Sequence, residues 1–401
     1  MPNPAGGPRL LAVEDLNTAP IATQRAALVA VLRRGPESRS SLKRILGLSS
    51  SVVTRLVQGL IAEGYVTESG TDSVGVGRPR TTLSLVADYG SWLSILVDDS
   101  EISVLMTDMI GTNIAERSVP RQPGKAVSLD DLCLVISQLL DENEHADIVG
   151  IGVGVPGIVD ADGNVRQAPD LGWDDPVPVA KVLGERFGVP TVVENDVNLM
   201  LLAEHAEGSA VGHDNAVLVY MGRRGIGSGL LINGQLFTGQ TGAAGEIGLI
   251  PLRLTTMDAS SASFEDRFSL EGIASFLTSQ GVVPGVDPVA TLLAVRESSA
   301  EIEKFHAELL ATVNNLIGVL SVLFDPQLVV ISGAIRELVS ENLGAIQHDL
   351  DQWLPRKPAI VISRQGQAAV HRAAQSMCWE HRVAAGLPVV KTRIAIAAGN
   401  H

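Results

Sequence analysis

Cysteine is almost missing from this chain. Cys133 and Cys378 are its two, too few for a disulfide framework or a cysteine-rich zinc site, and free thiols suit a reducing compartment. Neither lies in a motif that would mark a catalytic thiol. The first residues, MPNPAGGPRLLAVEDLN, lack the basic stretch and apolar run of a secretory signal. Long apolar runs are also absent: Leu316 to Phe324 is among the longest and is too short for a bilayer. The eight histidines show no metal-ligand spacing. The expectation is a soluble, cytoplasmic protein with no membrane partner and no metal.

What is present is a folding composition. The 401 residues are 45% hydrophobic and 19% charged, with 40 Gly and 20 Pro, which excludes global disorder and collagen-like repeats and leaves room for roughly two to four domains. The net charge of −15 is unevenly spread: residues 1–86 carry 10 Lys+Arg against 6 Asp+Glu, and the remainder 20 against 39. A small basic domain therefore precedes a large acidic one. Such asymmetry suggests a nucleic-acid-contacting module on a body that phosphates would repel, although random surface variation explains the charge alone equally well.

The N-terminal quarter reads as a winged helix-turn-helix over residues 21–86, after a disordered tail over 1–20. A first helix from Thr23 to Arg34 ends near Gly35-Pro36. Ser38 can cap a short helix carrying Leu42, Ile45 and Leu46, which Gly47 would break, and Ser49 or Ser50 caps a third helix. On that helix Val52, Val53, Leu56, Val57, Leu60 and Ile61 make an apolar stripe. Ser50, Ser51, Thr54, Arg55 and Gln58 then face outward, as a reader of the major groove requires. The stretch after Gly64 reads as a hairpin whose tip, GVGRPR, would bring Arg78 and Arg80 to phosphates or a narrow minor groove. A purely structural three-helix unit would show the same helical pattern, so the basic wing adds weight.

The acidic body reads as α/β. Three strand-like runs (Trp92 to Val97, Ile102 to Thr107, Asn113 to Val119) precede a helix near Leu129 to Leu140 and a strand, Ile148 to Val155. The strand from Thr191 to Glu194 ends in Asn195-Asp196, polar groups at a strand's carboxyl end, where α/β sheets bind ligands. A second cycle runs from Ala216 to Met221, through Gly225-Ile226-Gly227-Ser228-Gly229, to a helix from Ile302 to Phe324 and a strand from Leu328 to Ser332. The lobes are expected over 87–195, with a C-terminal return near 375–401, and over 196–374.

Several ordered motifs resemble the ROK family of repressors, open reading frames and kinases, specifically its DNA-binding regulators. They are SRSSLKRILGLSSSVVTRLVQGLIAEG with GRP, GVGVPGIVD, VENDVNLMLLAE, GIGSGLLINGQLFTG, GAAGEIG, SLEGIAS and DPQLVVISGAI, between about residues 23 and 385. The resemblance implies a two-lobed actin-like ATPase (ribonuclease H-like) sugar-kinase-type fold, a sugar site in the interlobe cleft, and a homodimer or homotetramer. It places the family's sugar contacts on Asn195, Asp196, Glu246 and Glu271, with the loop ending at Gly157 nearby. Carboxylates and amides suit sugar hydroxyls because they accept and orient O–H donors. In family kinases Asp196 would be the general base; an Asp there also simply caps the following helix.

Three departures from the family bear on function. The first hairpin turn reads Asp98-Asp99-Ser100-Glu101 rather than Gly/Thr-rich, placing negative charge where nucleotide phosphates would lie. No catalytic residue and no cofactor are therefore expected. Gly225 to Gly229 still resembles a second phosphate loop and reads equally well as a β-turn. Leu249 stands where the family has a zinc-ligating His, and the segment after it holds no Cys or His, so no zinc is expected. The stretch Thr255 to Asp266 reads as an insertion, with a lid as the other possibility. The resemblance implies a transcriptional repressor of carbohydrate uptake or catabolism genes. It would bind an inverted-repeat operator under control of a sugar or sugar-phosphate effector. A sugar kinase with an appended DNA-binding domain, and a regulator answering only to a protein partner, remain the rivals.

Overall fold

The computed structural model describes residues 16–72, 80–98, 100–122, 125–251, 263–352, 354–384 and 392–393. They fall into two compact units. The first holds the described residues up to Gly157, Asp162–Glu194 and the described residues from His371; the second holds Ile158–Ala161 and the described residues of Asn195–Val370. Compared with the expected lobes, the division falls before Asn195 and the C-terminal return starts at His371. Of the expected disordered tail, residues 1–15 lie outside the described residues. Residues 16–19 form a turn, tied down where Gln24 Nε2 donates to Leu16 O at 2.9 Å and Asn17 Nδ2 to Gly47 O at 3.3 Å; these side-chain bonds to distant backbone make that end ordered.

The first unit opens with α1 (Ile21–Arg33), β1 (Glu37–Ser38), α2 (Arg39–Leu46), α3 (Ser50–Ala62), β2 (Val66–Asp72) and β3 (Arg80–Leu85). Local chemistry sets these boundaries. Ser38 Oγ accepts from Ser41 N and starts α2; Gly47, at φ +66°, ends it; Ser49 Oγ accepts from Val52 N and starts α3. The two helices turn through 118°, within the range of a helix-turn-helix. The strands pair antiparallel in the order β1-β3-β2, giving a wing whose tip, with Arg78, lies outside the described residues.

The core of this module does not close on itself. Leu28, Leu32, Leu42, Val53, Leu56, Val57 and Leu60 share one buried cluster with Trp92, Met109, Val149, Cys378 and Trp379, which come from the α/β part of the same unit. That part is a sheet of β4 (Ser91–Val97), β5 (Glu101–Thr107), β6 (Asn113–Pro120), β7 (Asp147–Val155), β10 (Thr191–Asn195) and β16 (Thr392–Arg393). The strand order is β10-β7-β4-β5-β6, with β16 beside β7. All seven residues of β4 are buried, so its sequence is apolar or small throughout instead of alternating. The helices α4 (Leu129–Asp141) and α5 (Val179–Phe187) and the short strands β8 (Ile158–Val159) and β9 (Val165–Arg166) complete this stretch of chain.

Helix α12 (Gln367–Ala384) crosses the sheet through a buried polar network. His371 Nδ1 lies 2.8 Å from Ser94 Oγ and its Nε2 lies 3.0 Å from Ser103 Oγ. Thr107 Oγ1 donates to Gln375 Oε1 at 3.0 Å, and Gln375 Nε2 donates to Ser94 Oγ at 3.2 Å. Burial, with the charge of Arg372, pushes the His371 imidazole down to about 4, so it stays neutral at ordinary pH. One turn further on, Trp379 meets the Trp92 ring edge-on at 5.8 Å and carries Arg33 of α1 over its face at 5.9 Å.

The second unit contains α6 (Asp196–Glu207), β11 (Ala216–Met221), β12 (Ile226–Ile232), β13 (Gln235–Leu236), α7 (Phe264–Phe268), α8 (Leu270–Ser279), α9 (Pro288–Val295), α10 (Ala300–Phe324), β14 (Leu328–Gly333), α11 (Arg336–Asp351) and β15 (Ala359–Ile362). Its sheet runs β13-β12-β11-β14-β15, antiparallel on the β12 side and parallel on the β14 side. The apolar run ending at Phe324 belongs to a helix of 25 residues. By length and composition that helix is sufficient to cross a bilayer, but Ile302, Phe305, Leu309, Val313, Ile317 and Leu320 are buried in the lobe's core.

Candidate functional site: a recognition helix and a polar cluster

Helix α3 presents two faces. Val53, Leu56, Val57 and Leu60 are buried, while Ser50, Ser51, Thr54, Arg55 and Gln58 are exposed. The hydroxyls differ, because Ser51 Oγ lies 3.0 Å from the capping Ser49 Oγ and is partly committed to the helix end. Arg80 heads β3, opposite Asp72 of β2. Around this face Arg39 pairs with Glu68 and Arg25 with Glu63, which orders the wing and α1 without using the recognition residues.

The second polar cluster is built around the β11–β12 hairpin. Asn195 caps α6, its Oδ1 accepting from Val197 N at 2.9 Å and Asn198 N at 3.2 Å. Asp196 opens the helix and also accepts from Val197 N at 2.9 Å, so capping is one role its carboxylate fills. Val197 and Leu201 press against Gly227 and Gly229 of β12. On the other side of that strand, Ser228 N donates to Gly245 O at 2.8 Å. Gly245 stands at φ +98°, and a Cβ there would lie 1.9 Å from Ser228 O, which is why glycine precedes Glu246. Glu246 is thereby held beside β12.

Glu246 has a neighbour that sequence reasoning missed. A Cβ on Gly248 would lie 2.4 Å from Glu265 Oε2, so the Glu265 carboxylate sits over this backbone. Burial, reinforced by the charge of Glu265, pushes the Glu246 carboxyl up to about 7. The sign follows from linkage: the folded protein holds the Glu246 proton more tightly than the unfolded chain does, so this stabilisation is present at low pH and lost as pH rises through about 7. Relative to the parent, Glu246→Gln is therefore expected to gain up to about 3 kcal/mol between pH 5 and pH 8, read by denaturant unfolding. Parallel pH profiles for the two proteins would contradict the assignment.

Glu271, in the first turn of α8, is engaged by two arginines from the β11–β12 turn. Its Oε1 accepts from Arg223 Nη1 and its Oε2 from Arg224 Nε, each at 2.9 Å. Its backbone N also donates to Arg223 O at 2.9 Å. Neither arginine was picked out from the sequence. The doublet next to Gly225 was its visible signal, but its partner lies 47 and 48 residues on. Gly157, in the first unit, is at φ +108° with a Cβ position 2.7 Å from Ala168 Cβ; packing inside that unit already demands glycine there.

The donor set does not suit zinc. Leu249, which no metal can use as a ligand, is exposed. Phe264 N donates to Ile250 O at 3.0 Å, Ser263 and Asp266 form a capping box, and Phe268 meets the Phe264 ring edge-on at 5.7 Å and the Phe305 ring at a tilt at 5.4 Å. The described part of the expected insertion, from Ser263, thus belongs to α7. At the β4–β5 turn, Asp98 Oδ1 accepts from Ser100 N, Ser100 Oγ and Glu101 N at 2.7 to 2.9 Å. That carboxylate closes its own turn and holds the hairpin.

A winged helix-turn-helix fused to an α/β body with the sheets of actin-like sugar kinases defines the class. The chain belongs to the ROK family, whose family model matches residues 99–378. The xylose repressor of Bacillus subtilis (strain 168) is 30% identical over 230 residues, 56% of this chain and 59% of that protein. This chain spans little more than half the length of such curated relatives. The DNA-binding transcriptional dual regulator NagC of Escherichia coli (strain K12) is 26% identical over 341 residues, 78% of this chain and 80% of its own. A solved ROK family transcriptional regulator, a homolog of the E. coli MLC protein, aligns over 91% of this chain and 98% of its own at a TM-score of 0.75 and 21% identity, a likeness of fold.

Proposed function

We propose that this protein is a cytoplasmic, sugar-responsive transcriptional repressor of carbohydrate genes and not an enzyme. The observation that carries the reading is the exposed row Ser50, Ser51, Thr54 and Arg55 on the second helix of a capped helix-turn-helix, in a chain of the ROK family. A relative named as a xylose repressor and one named as a DNA-binding transcriptional dual regulator support it. Two copies would place their α3 helices in successive major grooves of an inverted repeat, roughly 34 Å apart. Asn195, Asp196, Glu246 and Glu271 would take a sugar or sugar phosphate. That effector releases DNA only to the extent that it binds the DNA-free form better than the DNA-bound one.

The test is binding of the full chain to DNA upstream of its own and neighbouring genes, titrated with salt and with a panel of sugars and sugar phosphates. Nanomolar, sequence-selective binding that one compound abolishes is the expected result. Selective binding that no compound alters would point to a protein partner. ATP-dependent phosphorylation of a hexose, lost in Asp196→Asn, would replace the repressor reading with the kinase.

A further inference from the structure

We propose that Glu204 couples effector binding to operator binding, as a positioning residue that clamps the far end of α6 to the segment from which α12 departs. The inference rests on the preceding reading in one respect: that Asn195 and Asp196 meet the effector. Those two residues start α6, and Glu204 lies on the same helix, about 12 Å beyond Asp196 at about 1.5 Å of rise per residue. Its side chain is buried, and both carboxylate oxygens are used: Oε1 accepts from Ser363 Oγ and Oε2 from Ser209 N, each at 2.6 Å. Position 208 must be glycine for this to happen, because a Cβ there would lie 2.2 Å from Glu204 Oε2 and 2.7 Å from Gln365 Nε2. Gln365 Nε2 in turn donates to Glu207 O at 3.1 Å. The last turn of α6 thus grips residues 363–365 at two points, one of them a buried bond to a carboxylate, the strong kind.

Both ends of this arrangement lead somewhere. At the start of α6, Asn195 Oδ1 and Asp196 Oδ1 accept from the backbone N–H groups of the first turn, so a ligand hydroxyl that donates to either oxygen acts on the helix itself. At the other end, residues 363–366 join β15 directly to α12. That helix is unbroken from Gln367 to Ala384; Gln367–Val370 count with the second unit and its residues from His371 with the first. Along it come His371 between Ser94 and Ser103, Gln375 beside Thr107, and Trp379 beneath Arg33 of α1. Packed interiors have few voids to absorb a displacement, so a shift at the first residues of such a helix is passed along it. From Asp196 to Arg33 each step is continuous helix or buried contact, and the Glu204–Ser363 bond is where it passes from α6 to α12. An effector that shifts α6 would then act on the core that holds α1 and the recognition helix α3.

The test has two arms, both on the full chain. The first measures the coupling ratio, the operator Kd with a saturating compound divided by the Kd without it. The compound is whichever of xylose, glucose, N-acetylglucosamine or their phosphates weakens operator binding in the parent. Ser363→Ala removes one hydroxyl from the clasp and is expected to lower the ratio about fivefold or more. Operator affinity without the compound, and compound affinity without DNA, should each stay within about threefold of the parent; a merely structural role would move those two and leave the ratio alone. Glu204→Gln should lower the ratio likewise, and the two substitutions together should do little more than either one, as partners in one bond do. Where Glu204→Gln unfolds, Ser363→Ala decides alone, and an unchanged ratio in it overturns the proposal. The second arm needs no effector: hydrogen exchange with neither DNA nor sugar present. Ser363→Ala should speed exchange about threefold or more in α12 as far as Trp379 and in α1. Faster exchange confined to residues 204–210 and 363–366 would overturn the proposal and leave Glu204 a local staple. If no compound alters operator binding in the parent, the repressor reading fails, and the exchange arm still decides whether the clasp reaches α1.

Discussion

Trp379→Ala is expected to lower the stability of the first unit by about 3–5 kcal/mol, the cost of emptying a large aromatic site in a packed core, and to take DNA binding down with it. The tryptophan is 4% exposed and belongs to the cluster that also holds Leu28 and Leu32 of α1 and Leu56 and Leu60 of α3. Its edge contact with Trp92 and the guanidinium of Arg33 over its ring mean that two elements, β4 and α1, lose a neighbour at once. Arg33 is drawn far enough from water that its pKa falls below its ordinary value, with Glu380 opposing the shift, so exposing this corner also disturbs a charge the fold has accommodated. A DNA-binding module with its own core would shrug off a change on the C-terminal helix. The measurement is denaturant unfolding alongside operator binding on the same samples, with Trp379→Phe as the milder control. Operator affinity at the parent level in Trp379→Ala would show that the module folds independently of α12.

The parts of the structure readable from sequence are those whose cause is local. Ser38, Gly47 and the serines before Val52 announce α2 and α3 because a cap is satisfied within three residues. Strands such as Ala216–Met221 announce themselves because burial on both faces forces an unbroken apolar run. What stayed hidden depends on groups distant in the chain. Nothing in the sequence separates a surface place for His371 from a buried one, because its partners Ser94 and Ser103 lie more than 260 residues away. Glu271 could be placed by its motif, whereas its capture by Arg223 and Arg224 depends on α8 docking against the β11–β12 turn. Glu265 lay in a segment that read as an insertion, and its relation to Glu246 appears only once Gly248 brings the backbone beneath it. Gly157 shows the opposite lesson: a glycine in a ligand-loop motif can be demanded by the packing of Ala168 alone.

Arg55→Ala is expected to weaken binding to the preferred operator by about 10- to 100-fold while leaving the unfolding midpoint unchanged, since one bidentate base contact is worth about 1–3 kcal/mol of discrimination and the side chain is exposed. Two neighbouring substitutions separate readout from its alternatives. Leu56→Ala, one residue on, removes a side chain that is 3% exposed and should cost about 2–5 kcal/mol of stability; it would lose DNA binding by unfolding the module. Arg80→Ala should weaken binding to all sequences alike and reduce the salt slope by about 0.9, the loss of one phosphate contact. Competition binding at several salt concentrations with operator and scrambled duplexes distinguishes the three. A uniform loss in Arg55→Ala, with the operator's advantage over scrambled DNA intact, would make Arg55 a backbone contact. Sequence readout would then pass to Ser50 and Thr54, because the Ser51 hydroxyl is already engaged with the cap at Ser49.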